Sequence, residues 1–79
     1  MTASTLVKRS LALSGHRTSV ALEPEFWDAL DALAAMRGQT LITLVAAEDA
    51  ARDPARSLAS ALRVLALNTA AGHERIVLG

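Results

Sequence analysis

The stretch that decides the fold is HRTSVALEPEFW, residues 16–27. Residues 17–22 alternate between β-branched or apolar positions and polar or small ones, and this period of two is typical of a half-buried strand. Pro24 follows at once and suits the first turn of a helix, where its missing N–H costs nothing. The stretch therefore predicts a strand that runs directly into a helix. Such a strand must pair with the preceding segment, with a second copy of the chain, or with both.

The preceding segment, residues 7–14, alternates in the same way and predicts another strand. Val7, Arg9, Leu11 and Leu13 fall on one side, and Lys8, Ser10, Ala12 and Ser14 fall on the other. Gly15 and His16 supply a turn or break between the strands. The two strands form either a hairpin or pairs with symmetry mates, and the alternation does not distinguish these arrangements.

Three helices are predicted after the strands at about 24–37, 40–52 and 57–71. Gly38 is a C-cap signal for the first, and Thr40 and Ser57 are N-cap candidates for the second and third. The spacing of Phe26, Leu30 and Leu33 predicts a core face on the first helix. The organisation is then a flexible N-terminus over 1–6, one domain over 7–71 and a C-terminal tail over 72–79.

Length and composition favour a small cytoplasmic homo-oligomer. The chain has 79 residues, no cysteine and 52% hydrophobic residues, most of them Ala, Leu and Val. So much apolar surface exceeds what one short subunit hides, which favours self-association. No apolar run approaches the roughly 18–20 residues that span a bilayer, so we expect no membrane partner.

No catalytic constellation is visible, and we expect no enzyme activity, no cofactor and no metal site. The chain lacks a nucleophile–base pair, a phosphate-cradling glycine loop and paired carboxylates at a useful spacing. His16 and His73 are far apart, and the acids of residues 48–53 suit a solvated helix face. Trp27 is assigned to packing against a second subunit or against the strands.

Charge distribution favours recognition of nucleic acid despite a net charge of zero. Residues 1–22 carry three basic residues and no acid, whereas residues 23–55 are acidic overall. A two-stranded ribbon fits the major groove of B-DNA and presents its outward side chains to base edges. If Val20 and Leu22 face the helices, the outward residues are Arg17, Ser19 and Ala21.

Each of these residues has a distinct capacity at a base edge. Arg17 has the donor geometry for guanine or phosphate, Ser19 donates or accepts, and Ala21 offers an apolar contact such as one to a thymine methyl group. Lys8 and Arg9 would add phosphate contacts, which position a protein without specifying sequence. The amides at the start of the second helix, at Thr40, would bind a phosphate in the same way.

The order strand, helix, glycine turn, helix resembles the ribbon–helix–helix superfamily, which includes the Met and Arc repressors. The resemblance is strongest to a bacterial subfamily of predicted DNA-binding ribbon–helix–helix proteins. It covers roughly residues 8–67 and rests on these segments: Lys8-Arg9-Ser10-Leu11, Gly15-His16-Arg17-Thr18-Ser19-Val20, Leu22-Glu23, Glu25-Phe26-Trp27, Ala34-Ala35-Met36-Arg37-Gly38, Leu44-Val45-Ala46 and Ser60-Ala61-Leu62-Arg63.

The resemblance implies an intertwined homodimer with an intermolecular β-ribbon, in which Arg17, Ser19 and Ala21 contact bases. The fold class it implies is mainly α with a short N-terminal β segment, extended by an extra first strand and a third helix. The small Ala21 and the zero net charge depart from the strongly basic members. The extra strand over residues 8–14 either extends the DNA-facing arm or covers the ribbon.

The functional hypothesis is a bacterial DNA-binding transcriptional regulator, a repressor that binds double-stranded DNA as a homodimer or as stacked dimers. The alternative is a protein-interaction or antitoxin-like module on the same fold. Its motivation is the third helix, whose apolar band over residues 58–67 is wider than one helix face. Many ribbon–helix–helix antitoxins combine both activities, so the two hypotheses are compatible.

Overall fold

The computed structural model describes the backbone of residues 5–78 and the side chains of residues 5–69. The elements, in chain order, are β1 (Val7–Leu13), β2 (His16–Leu22), α1 (Pro24–Met36), α2 (Leu41–Ala51) and α3 (Leu58–Leu78). This order confirms the predicted fold class, a short β segment followed by three helices. Most of the predicted flexible start, residues 1–6, lies outside the described residues.

β1 and β2 form an antiparallel hairpin within one chain, which decides between the two arrangements that the alternation allows. Val7 pairs with Leu22 at the open end and Leu13 pairs with His16 at the turn. The turn residues, Ser14 and Gly15, have φ values of 48° and 87°, as the tight primed turns that suit hairpins require. The turn therefore lies one residue earlier than predicted, and His16 belongs to the strand.

The ends of α1 and α2 follow from local capping chemistry. Gly38 has a φ of 66°, and its N–H donates to the carbonyl of Ala35 at 3.1 Å while the N–H of Gln39 donates to that of Ala34 at 2.9 Å. This pair of bonds is a Schellman motif, which ends a helix at a glycine. Thr40 then caps α2, because its Oγ1 accepts from the N–H of Thr43 at 3.1 Å.

The third helix is longer than the sequence predicts. Ser57 caps its start by accepting from the N–H of Ser60 at 3.1 Å. The helix continues to Leu78, whereas the sequence predicts a tail from residue 72. Gly72 is the residue that suggested an earlier end. A glycine costs a helix interior only about 1 kcal/mol relative to alanine, and no proline follows it, so the helix continues.

The core lies between the inner face of the hairpin and the three helices. The hairpin contributes Leu11, Leu13, Val20 and Leu22, and the helices contribute Trp27, Leu30, Leu33, Ala34, Leu44, Val45, Leu58, Leu62 and Ala66. The fully buried aromatic residue is Trp27, which is 1% exposed, whereas Phe26 is only partly buried. The predicted core face therefore holds for Leu30 and Leu33, with Trp27 taking the place assigned to Phe26.

Trp27 joins α1 to the hairpin by both packing and a hydrogen bond. Its indole Nε1 donates to the carbonyl oxygen of Val7, the first residue of β1, at 2.7 Å. The guanidinium of Arg9 stands over the indole, 4.6 Å from the ring centroid. Of the two packing roles predicted for Trp27, the structure shows the contact with the strands.

Replacing Trp27 by Phe should destabilise the fold by roughly 1–3 kcal/mol, because the carbonyl of Val7 loses its donor and the smaller ring leaves a gap. The measurement is urea denaturation at fixed protein concentration, since self-association would otherwise shift the midpoint. Met36→Ala is the control, because Met36 is 80% exposed and its loss should change stability by less than about 0.5 kcal/mol. Equal stability of the two variants would contradict the role given to Trp27.

Candidate nucleic-acid interface

The outer face of the hairpin is a small, basic surface made of two rows of side chains. Lys8, Ser10 and Ala12 of β1 lie opposite Ala21, Ser19 and Arg17 of β2, respectively. Alternation places all six on the face away from the core, and each is exposed except Ala21, which is half-buried. We call these six residues the outer hairpin face. None of them is acidic.

The position of β1 relative to β2 settles whether the extra strand masks the ribbon. β1 is paired edge to edge with β2 and lies in the same sheet, so it does not cover Arg17, Ser19 or Ala21. It widens their surface by one strand. Ser10 and Ala12 thereby join the surface. They are not among the predicted DNA-contacting residues, but the period of two in residues 7–14 places them on the same side as Lys8.

Two serine hydroxyls meet in the middle of the outer hairpin face. The Oγ atoms of Ser10 and Ser19 are 3.2 Å apart, and either can donate. A paired hydroxyl of this kind presents both a donor and an acceptor to a third group. Lys8 and Arg17 lie toward opposite ends of the face, so the surface carries a positive charge on each side of a neutral, hydrogen-bonding centre.

Arg9 is separated from the other basic residues of the hairpin. It lies on the inner face, where its two terminal nitrogens donate to the two carboxylate oxygens of Asp31 at 3.1 and 3.2 Å. The alternation that placed Arg9 beside Leu11 and Leu13 is the sequence signal for this position. The guanidinium of Arg9 therefore binds α1 and is not part of the outer hairpin face.

Thr40, the remaining predicted contact, lies at the start of α2 and is exposed. Its hydroxyl is engaged in capping, since it accepts from the N–H of Thr43 and donates to the hydroxyl of Thr43 at 2.9 Å. The structure therefore brings four of the six predicted residues, Lys8, Arg17, Ser19 and Ala21, onto one face. Arg9 and Thr40 lie elsewhere.

A second ion pair fixes the junction between the hairpin and the helices. Arg63 of α3 donates from Nε to Oε1 of Glu23 at 3.0 Å, and its guanidinium lies 5.9 Å from the centre of the Phe26 ring. Glu23 connects β2 to α1. A hydrogen bond from its own backbone N–H and the bond from Arg63 lower the pKa of the Glu23 carboxyl below its usual 4.5.

The lowered pKa of Glu23 gives a pH dependence with a defined sign. The folded state favours the ionised carboxylate, so its contribution is fully present above about pH 4.5 and is lost as the pH falls through the lower pKa of the folded state. Glu23→Gln should therefore reduce stability at pH 7, and its difference from the wild type should shrink toward pH 3. Thermal unfolding at several pH values measures this, with Glu25→Gln as the control. A pH-independent difference would contradict the assignment.

A second surface feature lies on the side of the α2–α3 loop. An open cleft of about 430 Å³ is lined by Asp53, Ala55, Arg56, Ser57 and Ser60 in and after the α2–α3 loop. Among the side chains of residues 5–69, no three metal-ligating groups converge. No helix in the described part of the chain has the length and apolar content needed to cross a membrane.

The fold and this face together define a small helical domain that presents a basic β-hairpin. A family model described as a ribbon–helix–helix domain matches residues 6–70. The chain therefore belongs to the ribbon–helix–helix domain family, whose members are typically DNA-binding regulators without enzymatic activity. Comparison with curated proteins gave no match, and comparison with solved structures gave none either.

Proposed function

We propose that this protein is a DNA-binding transcriptional regulator, a repressor in the bacterial cytoplasm, that binds double-stranded DNA through the outer hairpin face. The observation that carries the proposal is the composition of that face: two cations, two paired hydroxyls, two small side chains and no acid. Charge of one sign on an exposed, regular surface suits the phosphate-lined groove of a duplex. The fold family supports the same function.

The role proposed for each β2 residue follows from its reach. Arg17 donates in a bidentate manner to guanine O6 and N7, which is the commonest specific contact in the major groove. Ser19 donates to or accepts from a base edge, and Ala21 contacts a thymine methyl group or lets the backbone approach closely. Lys8 on β1 and the first amides of α2, beside Thr40, would contact phosphates.

Arg9 serves this surface indirectly in the proposal. Because it is stacked on Trp27 and paired with Asp31, it holds the hairpin against α1 and does not reach a groove that faces the opposite side of the sheet. A contact from Arg9 to phosphate would require it to leave both partners. We therefore assign it to positioning the hairpin.

A homodimer is proposed as the DNA-binding form. In a ladder that closes on a two-residue turn, the pair beside the turn is hydrogen-bonded, so Arg17, Ser19 and Ala21 direct their backbone N–H and C=O groups away from β1. That edge of β2 makes no backbone hydrogen bond to another described residue and is free to pair with a second copy. Helix α2 also exposes apolar surface, including Ile42, which is 44% exposed.

Replacing Arg17 by Ala should remove most of the sequence preference of DNA binding. Wild-type protein first selects duplexes from a random library, and binding to the selected duplex is then compared with binding to single-base variants. Loss of a bidentate arginine should cost about 1–3 kcal/mol of discrimination at one base pair. Arg56→Ala, which removes the same charge from the α2–α3 loop, is the control and should keep the preference.

A second function, binding of a protein partner through α3, is favoured by one observation. Val64 and Leu67 are 37% and 64% exposed on a helix that also packs into the core, so part of its apolar band stays uncovered in one chain. Leu67→Asp should abolish co-purification of such a partner from the source cells while DNA binding by the outer hairpin face is kept. Loss of DNA binding together with the partner would instead assign this surface to self-association.

A further inference from the structure

The chain pairs β1 with β2 internally, and this has a consequence for how the proposed dimer would meet a duplex. We infer that the dimer carries a four-stranded sheet in which the two central β2 strands enter the major groove and the two outer β1 strands lie over the phosphate backbones, where Lys8 and Ser10 bind phosphate. The inference rests on the proposed DNA binding and dimerisation. It adds a division of roles between the two strands.

The register of the sheet follows from the bounds of β2. The strand runs from His16 to Leu22, so an antiparallel pairing of two copies that uses the whole strand has its two-fold axis at Ser19. Ser19 then lies opposite the partner's Ser19, and Arg17 lies opposite the partner's Ala21. The strand order becomes β1, β2, the partner's β2 and the partner's β1.

The same register arranges the outer side chains in three rows across the sheet. The middle row has four serines, Ser10 and Ser19 of one chain followed by the same two residues of the partner. Each flanking row reads lysine, alanine, arginine, alanine, because Lys8 lies opposite Ala21 and Ala21 lies opposite the partner's Arg17. The small side chains of Ala12 and Ala21 leave space in the assembled surface for the long side chains of Lys8 and Arg17 beside them.

The width of this sheet separates the roles of its strands. Neighbouring strands lie about 4.8 Å apart, so the outer strands of a four-stranded sheet are separated by roughly 14 Å. The major groove is only about 12 Å wide. The β2 pair fits inside the groove, whereas each β1 strand meets one of the two sugar–phosphate backbones that border it.

The chemistry of β1 suits a phosphate contact better than a base contact. Lys8 is a point charge on a flexible stem, which recognises phosphate without the planar geometry that bases require. The hydroxyl of Ser10 is exposed and already paired with Ser19 at 3.2 Å, so a phosphate oxygen at the outer strand can accept from it. The outer edge of β1 also directs the backbone N–H groups of Lys8, Ser10 and Ala12 outward.

The register is tested first, by cross-linking in a chain that has no native cysteine. Ser19→Cys should give covalent dimers on mild oxidation or with a short bifunctional thiol reagent, because opposite residues in a hydrogen-bonded pair have Cα atoms about 5.5 Å apart, within disulfide range. Ala12→Cys, on the outer strand, should give no covalent dimer in the same assay. Cross-linking of Ala12→Cys and not of Ser19→Cys would overturn the four-stranded arrangement.

The division of roles is tested with Lys8→Ala and Ser10→Ala on the duplex that wild-type protein selects. Lys8→Ala should weaken binding to selected and scrambled duplexes by the same factor. It should also reduce the slope of log affinity against log salt by about 2 per dimer, one for each lost phosphate contact. Ser10→Ala should likewise leave the selected-to-scrambled ratio unchanged, whereas Arg17→Ala should lower that ratio about tenfold or more.

Two results separate failure of this inference from failure of the proposed function. If wild-type protein selects no sequence and binds no duplex, the proposed function fails. If wild-type protein binds a selected duplex but Lys8→Ala leaves the salt slope unchanged, or Ser10→Ala lowers the selected-to-scrambled ratio, then β1 does not contact phosphate in the inferred way. The charge-matched Arg56→Ala should leave both the slope and the ratio unchanged.

Discussion

Burial of Trp27 against the hairpin is the interaction on which the rest of the structure depends. The indole fills the space between α1 and the strands and donates its one N–H to the carbonyl of Val7 at 2.7 Å. A buried indole requires such a partner, so the bond fixes where the start of β1 lies relative to α1. Once β1 is fixed there, the faces of both strands are determined, because they share one register.

This arrangement explains how a chain with no net charge has a basic surface. Asp31 pairs with Arg9 on the inner side of the hairpin, and Glu23 pairs with Arg63 at the junction between the hairpin and the helices. Those pairs hold the hairpin and α3 in place and lie away from the outer hairpin face. The two cations of that face, Lys8 and Arg17, remain beside neutral residues. Net charge alone is therefore a poor guide to what this surface would attract.

The sequence was sufficient for the parts of the fold that local chemistry controls. Period-two alternation predicted both strands and their faces, and Gly38, Thr40 and Ser57 predicted the helix ends where the structure has caps. The sequence was insufficient wherever the outcome depends on partners distant along the chain. Pairing of β1 with β2 of the same chain depends on a turn whose first residue, Ser14, is not a strong turn signal.

The candidate site shows the same limit. Lys8, Arg17, Ser19 and Ala21 come together as alternation predicted. Alternation also predicts the inner position of Arg9, but its ion pair there depends on Asp31, which is 22 residues later. The burial of Trp27 in the core, in place of the predicted Phe26, likewise depends on where the hairpin lies against α1. Gly72 predicts an earlier end to α3 than the structure has, because one glycine without a following proline is a weak helix stop.

The two-residue turn at Ser14 and Gly15 has a kinetic consequence. Pairing of β1 with β2 begins at Leu13 and His16, beside the turn, and ends at Val7 and Leu22. A hairpin of this kind forms in roughly 1–10 μs and needs no encounter between molecules. Each chain therefore forms its own outer hairpin face, which is half of the proposed DNA-binding surface, before it meets a second chain. Association then joins two finished hairpins along one short edge, so its rate depends on collision and orientation and not on folding of the strand itself.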